Sequence, residues 1–411
     1  MKKILSTYLC VFVLVSLVSA QTPVDKGNFI EYTPGFYYNT IMNDIMNGLP
    51  EGFENQKFPK IFVANLDNKE FPNQIADYKT LWHSLPKSQG NTGTCWCYAA
   101  TSFMESEVYR LHNVKTDLSE MFTVYWEYVE KAEDFVNTRG ETYFAQGSES
   151  NAIPKIWKKY GIVPESAYSG LLNNRKYHSH EEMEEEMIEY LNSVKESENW
   201  NIEEVLNSIK GILNSHMGTP PEMFVIDGVT YSPKSYLESY LKIRMNDYFS
   251  FMSTMMWPYY EKHELVEPDN WWHDDNYYNL PVEVFTNLLK EAVSNSYSVC
   301  ICGDVSEPGH DRFSEVAVIP DFDIPAEYIN EHSREKRLQD GSTTDDHCIH
   351  VVGYTEYNDE TWFLIKDSGS GAFDGPNKGY RFYHEDYIRL KMMNFLMHKD
   401  TAKDILDKII K

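Results

Sequence analysis

Residues 88–100, SQGNTGTCWCYAA, set a cysteine where a Gly- and Asn-bearing stretch gives way to small and apolar residues. Gly and Asn mark irregular backbone, and the Trp–Cys–Tyr–Ala–Ala run reads as the opening of a buried helix. Cys95 is thereby placed at a loop-to-helix junction. Unpaired N–H groups and the helix dipole at such an end favour the thiolate, which is the nucleophilic form. A cysteine nucleophile also needs a base that becomes a neighbouring cation, and donors for the oxyanion that forms on the substrate. Of the 13 histidines, His347 stands out, because TTDDHCIHVVGY sets it at the mouth of an apolar strand. WFLIKDSGSG sets Asp367 at the end of the next strand. Antiparallel pairing of the two strands can bring Asp367 beside His347, where a carboxylate would hold the ring and favour its charged form.

These residues meet only if the chain supplies a helix for the cysteine and a strand pair for the other two. Residues 95–111 carry Trp96, Ala99, Ala100, Phe103, Met104 and Val108 at helical spacing. LSEMFTVYWEYVEKAEDF (118–135) predicts a second helix with Ser119 as a cap, and NAIPKIWKKYGIV (151–163) a third, closed by Gly161. The acidic stretch from His180 to Leu213 predicts helix with a solvated face. GTPPEMFVIDGVTYSPKSYLESYL holds a turn, a short strand pair and a helix start. Residues 282–294 form an amphipathic helix, YSVCICGD (297–304) a buried strand, and CIHVVGYTEYNDETWFLIKDS (348–368) two strands turning at Asn358 and Asp359. NFLMHKDTAKDILDKIIK reads as a terminal helix. Helices come first and strands later, which predicts an α+β fold.

The formal net charge of −26, with no basic stripe, argues against nucleic acid as a partner. MKKILSTYLCVFVLVSLVSAQ has a basic start, an apolar run and small residues before Ala20, so residues 1–20 are expected to be a signal peptide cut after Ala20. No cysteine follows the cut to carry a lipid, and no second apolar run is long enough to span a bilayer. The expected mature protein is exported, periplasmic or extracellular, without a membrane anchor. Six cysteines less Cys10 leave five, an odd number that implies a free thiol, and too few for a disulfide scaffold.

QGNTGTCW resembles the active-site loop of papain-like cysteine peptidases. That family places Gln, Gly and Trp around its nucleophile as Gln89, Gly93 and Trp96 stand around Cys95. His347 precedes Gly353 and Tyr354 at the family's spacing, and LIKDSGSG is similar to the family's strand ending in an orienting asparagine. LSEMFTVYWEYVEKA, KKYGIVPESAY, GTPPEMF, VEPDNWWHDDNYYNLP, DVSEPG and STTDDHCIHVVGY, in order from about residue 80 to 392, resemble the bleomycin hydrolase and aminopeptidase C branch. The resemblance implies a papain-like two-lobed fold, with a helical lobe, a β-rich lobe and large helical insertions. It implies Cys95 as nucleophile, His347 as general acid/base, and Gln89 as an oxyanion donor beside the Cys95 N–H. Asp367 falls where the family has asparagine, and Gly369 where it has a shielding tryptophan. Peptides are the implied substrates, hydrolysed without metal or organic cofactor. Aminopeptidase action on short peptides is the implied form, since in this branch the chain end enters the cleft and its carboxylate fixes the substrate's free amine. A homo-oligomer, a hexamer, is implied as well, although the sequence itself carries no signature of one.

The expected organisation is an N-terminal arm (21–75), a catalytic domain (76–395) with a helical insertion over about 170–280, and a C-terminal helical tail (396–411). An endopeptidase with the same site, or a degenerate scaffold that binds peptides or partners, are the alternatives. Cys97, Cys300 and Cys302 read as core fillers, Cys348 as pointing away from the site, and His350 as packed locally. Cys95, Cys97, Cys300, Cys302, His347 and His350 offer a zinc site only at a cysteine spacing tighter than structural zinc prefers. EPDNWWHDDNYY reads as packing rather than cleft lining.

Overall fold

The computed structural model describes residues 24–53, 56–67 and 69–409. The expected signal peptide and Cys10 lie outside the described residues. The front half is helical: α1 (Cys95–His112), α2 (Glu120–Asn137), α3 (Ala152–Tyr160), α4 (Glu181–Ser197) and α5 (Ile202–Met217). Ser119 caps α2, its side chain accepting from the Phe122 N–H. Gly161 closes α3 at φ 80°, a backbone angle that glycine adopts without strain. In α4 the acidic residues face water while Met183, Met187, Leu191 and Val194 are buried.

The rear half is strand-rich. An N-terminal pair, β1 (Gly27–Glu31) and β2 (Lys60–Ala64), stands apart from a ten-stranded sheet. That sheet contains β3 (Tyr248–Met252), β4 (Val299–Gly303), β5 (His347–Tyr357), β6 (Glu360–Lys366), β7 (Tyr380–His384) and β8 (Met392–His398). Its central order is β7-β6-β5-β4-β8-β3. Asn358 and Asp359 both take positive φ between β5 and β6, the tight hairpin turn expected there. Every residue of β4 is buried because both faces of the sheet are covered. Cys300 and Cys302 face the core shared with α1–α5; Val299 and Ile301 face a second core with α6 (Val282–Ser294).

Three expectations change. The expected helical tail begins as a strand: Met392–His398, all buried, is β8, and only α7 (Lys403–Ile409) is helical. The run MMNFLMH is apolar on both faces, which suits a central strand and leaves a helix no solvated side. The segment 170–280 is helical only in part: after an irregular start it carries α4 and α5, then the hairpin Phe224–Ile226/Val229–Tyr231 and a short helical stretch at Pro233–Ser235 and Tyr236–Leu241, and it joins the sheet through β3. Finally, Cys302, expected as a core filler, is bonded to Cys348, expected only to point away from the site. They stand opposite each other on β4 and β5, with Cα atoms 4.0 Å apart, and form a disulfide. Among the described residues Cys95, Cys97 and Cys300 remain free.

The bridge closes a loop between residues 46 apart in sequence, and such cross-links typically contribute about 2–4 kcal/mol. The double variant Cys302→Ala/Cys348→Ala is expected to lose stability on that order in urea denaturation under oxidising conditions. An unchanged midpoint would show that the bridge contributes nothing.

Candidate active site

Cys95 is the first residue of α1, and Thr94 before it is the cap. The Thr94 carbonyl accepts from Cys97 N (3.0 Å) and Tyr98 N (3.2 Å), so the helix is under way immediately behind the thiol. Gln146 holds the loop in place. Its Oε1 accepts from Gly93 N at 2.8 Å, and its carbonyl accepts from Trp96 Nε1 at 3.2 Å. Gln146 is itself gripped by Glu184 of α4, donating from its backbone N (3.0 Å) and from Nε2 (2.6 Å). Fully buried Trp96 thus anchors the turn, which explains a bulky residue directly after the cysteine.

His347 opens β5, and α1 packs along that strand, so the two residues come together from opposite ends of the chain. The His347 ring lies with Nε2 2.7 Å from Asp367 Oδ1, which leaves Nδ1 for the cysteine. Asp367 directly follows β6. Its Oδ1 also accepts from Gly369 N at 2.7 Å, and its Oδ2 accepts from Arg381 Nε at 3.2 Å. Arg381 stands on β7 opposite Ile365, so sheet register brings it beside Asp367.

The electrostatics follow from this geometry. Burial alone would lower the pKa of His347. The Asp367 carboxylate, then Cys95 by charge and hydrogen bond, outweigh burial and hold the ring well above its ordinary value. Burial would likewise raise Asp367, but the charges of His347 and Arg381 keep it well below the usual carboxylate range. Cys97 contrasts with this: burial pushes its thiol up, and its Sγ donates to the Glu120 carbonyl.

Gln89 is fixed on both sides of its amide. Oε1 accepts from Ser368 Oγ at 2.8 Å and Nε2 donates to the Thr92 carbonyl at 2.7 Å, leaving one N–H of the amide uncommitted. Gln89, His347, Asp367 and Gly369 line one cavity of about 740 Å³. Its far wall comes from the N-terminal arm through Ile30, Tyr37, Ile61 and Val63. Tyr37 Oη donates to Asn91 Oδ1 (2.9 Å), and Phe36 N donates to Asp374 Oδ1 (2.6 Å), which fastens the arm there.

The structure therefore brings Gln89, His347 and Asp367 to one cavity, and sets Cys95 in hydrogen-bond contact with His347. His350 lies outside it, within the core, its Nδ1 paired with Ser102 Oγ at 2.8 Å. Gly369 supplies a close backbone approach in place of an indole: a Cβ there would sit 3.3 Å from the His347 ring. Of the zinc candidates, Cys302 is committed to the disulfide and has no thiolate to offer. The stretch EPDNWWHDDNYY packs as expected, with Trp271 and Trp272 both donating to Glu127 Oε1. Sequence reasoning missed Arg381, Gln146, Ser368 and the arm's share of the cavity. Only Gln146 carried a local signal, in the polar, small-residue run AQGSESN ahead of a helix.

The tail leaves the cleft. α7 packs Leu406, Ile405 and Ile409 on the α6 side of the sheet, the face opposite α1. Lys411 lies outside the described residues.

Residues 83–410 match the model of the Peptidase C1-like family. The chain is 21% identical to aminopeptidase C of Streptococcus thermophilus over 448 aligned residues, covering 95% of each. The crystal structure of PepW from Lactobacillus rhamnosis superposes with a TM-score of 0.69 at 18% identity, covering 90% of each chain. With the helical half, the strand-rich half and the cleft between them on view, the chain belongs to the Peptidase C1-like family and is a cysteine-type peptidase of papain-like fold.

Proposed function

We propose that this protein is an exported aminopeptidase that hydrolyses short peptides through Cys95, His347, Asp367 and Gln89. The observation that carries the reading is the His347 ring held between Asp367 and Cys95, charged by the one and available to the other. Cys95 Sγ attacks the scissile carbonyl carbon, and the oxyanion takes the Cys95 N–H and the uncommitted N–H of Gln89. His347 gives its proton to the leaving amine as the C–N bond breaks, leaving a thioester. His347 then takes a proton from water, which attacks the thioester and restores the thiolate–imidazolium pair. The leaving peptide occupies the cavity walled by the arm, because the residues that protonate it line that cavity.

Export is supported by the leader-like N-terminus and by a bridge between Cys302 and Cys348, which persists in oxidising compartments. No helix among the described residues is long and apolar enough to cross a membrane. An endopeptidase is the second reading, and the packing of α7 away from the cleft favours it. Free-amine and N-acetylated peptides of one sequence separate the two: cleavage of the free form alone supports the aminopeptidase, and equal cleavage sinks it.

The ion pair makes a labelling prediction. At pH 6 iodoacetamide should modify Cys95 much faster than buried Cys97; equal rates would mean that no activated thiolate exists. Replacing Asp367 by Asn removes the charge that raises His347 and leaves the Arg381 cation unbalanced beside it. The imidazolium is then lost at lower pH, so the basic limb of the kcat/KM profile should move down by on the order of one unit. An unmoved limb would show that Asp367 does not set the charge of the ring. Gln89→Ala should lower kcat by about 10²–10³-fold while Cys95 keeps its alkylation rate. A parallel fall in labelling would point to a collapsed loop and not to a lost oxyanion donor.

A further inference from the structure

Four carboxylates gather beside the cleft without lining the leaving-group cavity. Glu149 and Asp345 share one partner: Asn394 Nδ2 donates to Glu149 Oε2 at 3.1 Å and to Asp345 Oδ2 at 2.8 Å. Asp269 lies against Gly147, where a Cβ would meet either of its carboxylate oxygens at 2.3 Å. Glu267 completes the group, since the charges of Glu149, Glu267 and Asp269 all act on Asp345. Burial first, and then mutual repulsion, push Glu149 up to about 8 and Glu267 up to about 7; Asp345 is pushed well above the ordinary carboxylate value.

Positive charge is scarce here. Lys131 faces Asp269, but its Nζ donates to the Ala145 and Gly147 carbonyls. Lys155 is paired with Asp274 at 2.9 Å. Glu149 and Asp345 have no salt-bridge partner of their own among the described residues.

A second observation is independent of the charges. Asn394 is completely buried, and its Oδ1 takes no hydrogen bond from the described residues. That oxygen belongs to the same planar amide that both carboxyl groups grip, so an unused acceptor stands beside two acidic side chains. A buried acceptor left unmet costs about 1–3 kcal/mol. One unmet amide oxygen beside two carboxyl groups that share a single neutral donor suits a charged donor with several N–H groups.

The position says which donor. Asp345 is two residues ahead of His347, and Glu149 is three beyond Gln146, which holds the Cys95 loop. The Cys300 thiol feels the charges of Cys95, Glu149 and Asp345 together, so the cluster is on the same side of the sheet as the cysteine. The leaving peptide occupies the other cavity, which leaves this ground to the acyl side of the substrate.

We propose that Glu149 and Asp345, with Asn394 Oδ1, receive a primary ammonium group of the peptide substrate on the acyl side of the scissile bond. The proposal rests on the peptidase reading and deepens it. The ammonium has two sources, the free α-amine of the substrate and a lysine side chain next to the cleaved residue.

The test uses the full chain and the variants Glu149→Gln and Asp345→Asn, which keep size while removing charge. Three fluorogenic peptides serve as probes: free-amine neutral, N-acetylated neutral, and N-acetylated with lysine preceding the cleaved residue. Each variant should lower the kcat/KM ratio of a cationic probe to the acetylated neutral probe by roughly 10- to 100-fold, the loss of a charge-assisted hydrogen bond. Loss confined to the free-amine probe assigns the α-amine, and loss confined to the lysine probe assigns the side chain. Unchanged ratios for both overturn the proposal. Protection of Cys95 from iodoacetamide by the same peptides gives a readout that needs no turnover. Selective protection by a cationic peptide, lost in Glu149→Gln, with no hydrolysis of any probe, would leave the proposal standing and remove the peptidase reading. Turnover without discrimination between cationic and neutral probes would do the reverse. Calcium is a control: if 1 mM CaCl2, roughly the scale of weak extracellular sites, raises Tm in the parent chain and not in Glu149→Gln, the cluster is a metal site and the proposal falls.

Discussion

A carboxylate as buried as Asp367 stays ionised only because two cations face it. Arg381 meets one oxygen and the His347 ring meets the other, with the Gly369 N–H adding a third hydrogen bond. The Arg381 pair is what separates this arrangement from one built on a neutral amide. A neutral asparagine could orient the ring without favouring its charge, whereas an aspartate with no second cation would be expensive to bury. The result is an alternation of charge: guanidinium, carboxylate, imidazolium, thiol. Sheet register enforces it, because β5, β6 and β7 are successive neighbours and each contributes one member at or just beyond its end.

The elements that carry these residues were readable because each has a strong local period. α1 shows apolar spacing, α2 has its Ser119 cap, and β5–β6 has a two-residue turn at Asn358–Asp359. Cys95, His347 and Asp367 were legible for the same reason, since each sits where a periodic segment begins or ends. What escaped was decided by pairing between distant segments. The Cys302–Cys348 bridge depends on β4 lying beside β5 in one particular register. Arg381 looks like any strand arginine until β7 is set beside β6. The tail failed for a different reason: NFLMH and TAKDILDKII join in sequence without a break signal, and burial on both sheet faces overrode the helical continuation.

Two segments remote from the chemistry are fastened to the body that carries the site. The arm reaches the leaving-group cavity through Tyr37 and the β1–β2 pair. The loop carrying Trp271 and Trp272 is tied to Glu127 of α2, and Asn151 Nδ2 donates to Asp274 Oδ2 at 2.8 Å. The Asp269 carboxylate lies against Gly147.

The path of the chain end bears on how such a cleft would hold a free amine. A terminal carboxylate delivered from the tail needs the last residues to run back toward Cys95. Here β8 is drawn between β4 and β3, and the chain emerges on the α6 side, where α7 buries Leu406. Reversing that would expose Leu406, whose burial is worth roughly 1.5–3 kcal/mol, together with the half-buried Ile405 and Ile409. A second solution is to build the anionic site from side chains already in the core. Glu149, Asp345 and Asn394 have the composition for it, and their cost is visible as carboxylates forced toward their neutral forms while the cations in reach, Lys155 and Lys131, are committed to Asp274 and to backbone carbonyls. Strain of that kind is relieved when a cation arrives, so part of the binding energy of an ammonium-bearing substrate would come from charges the fold holds apart from any partner.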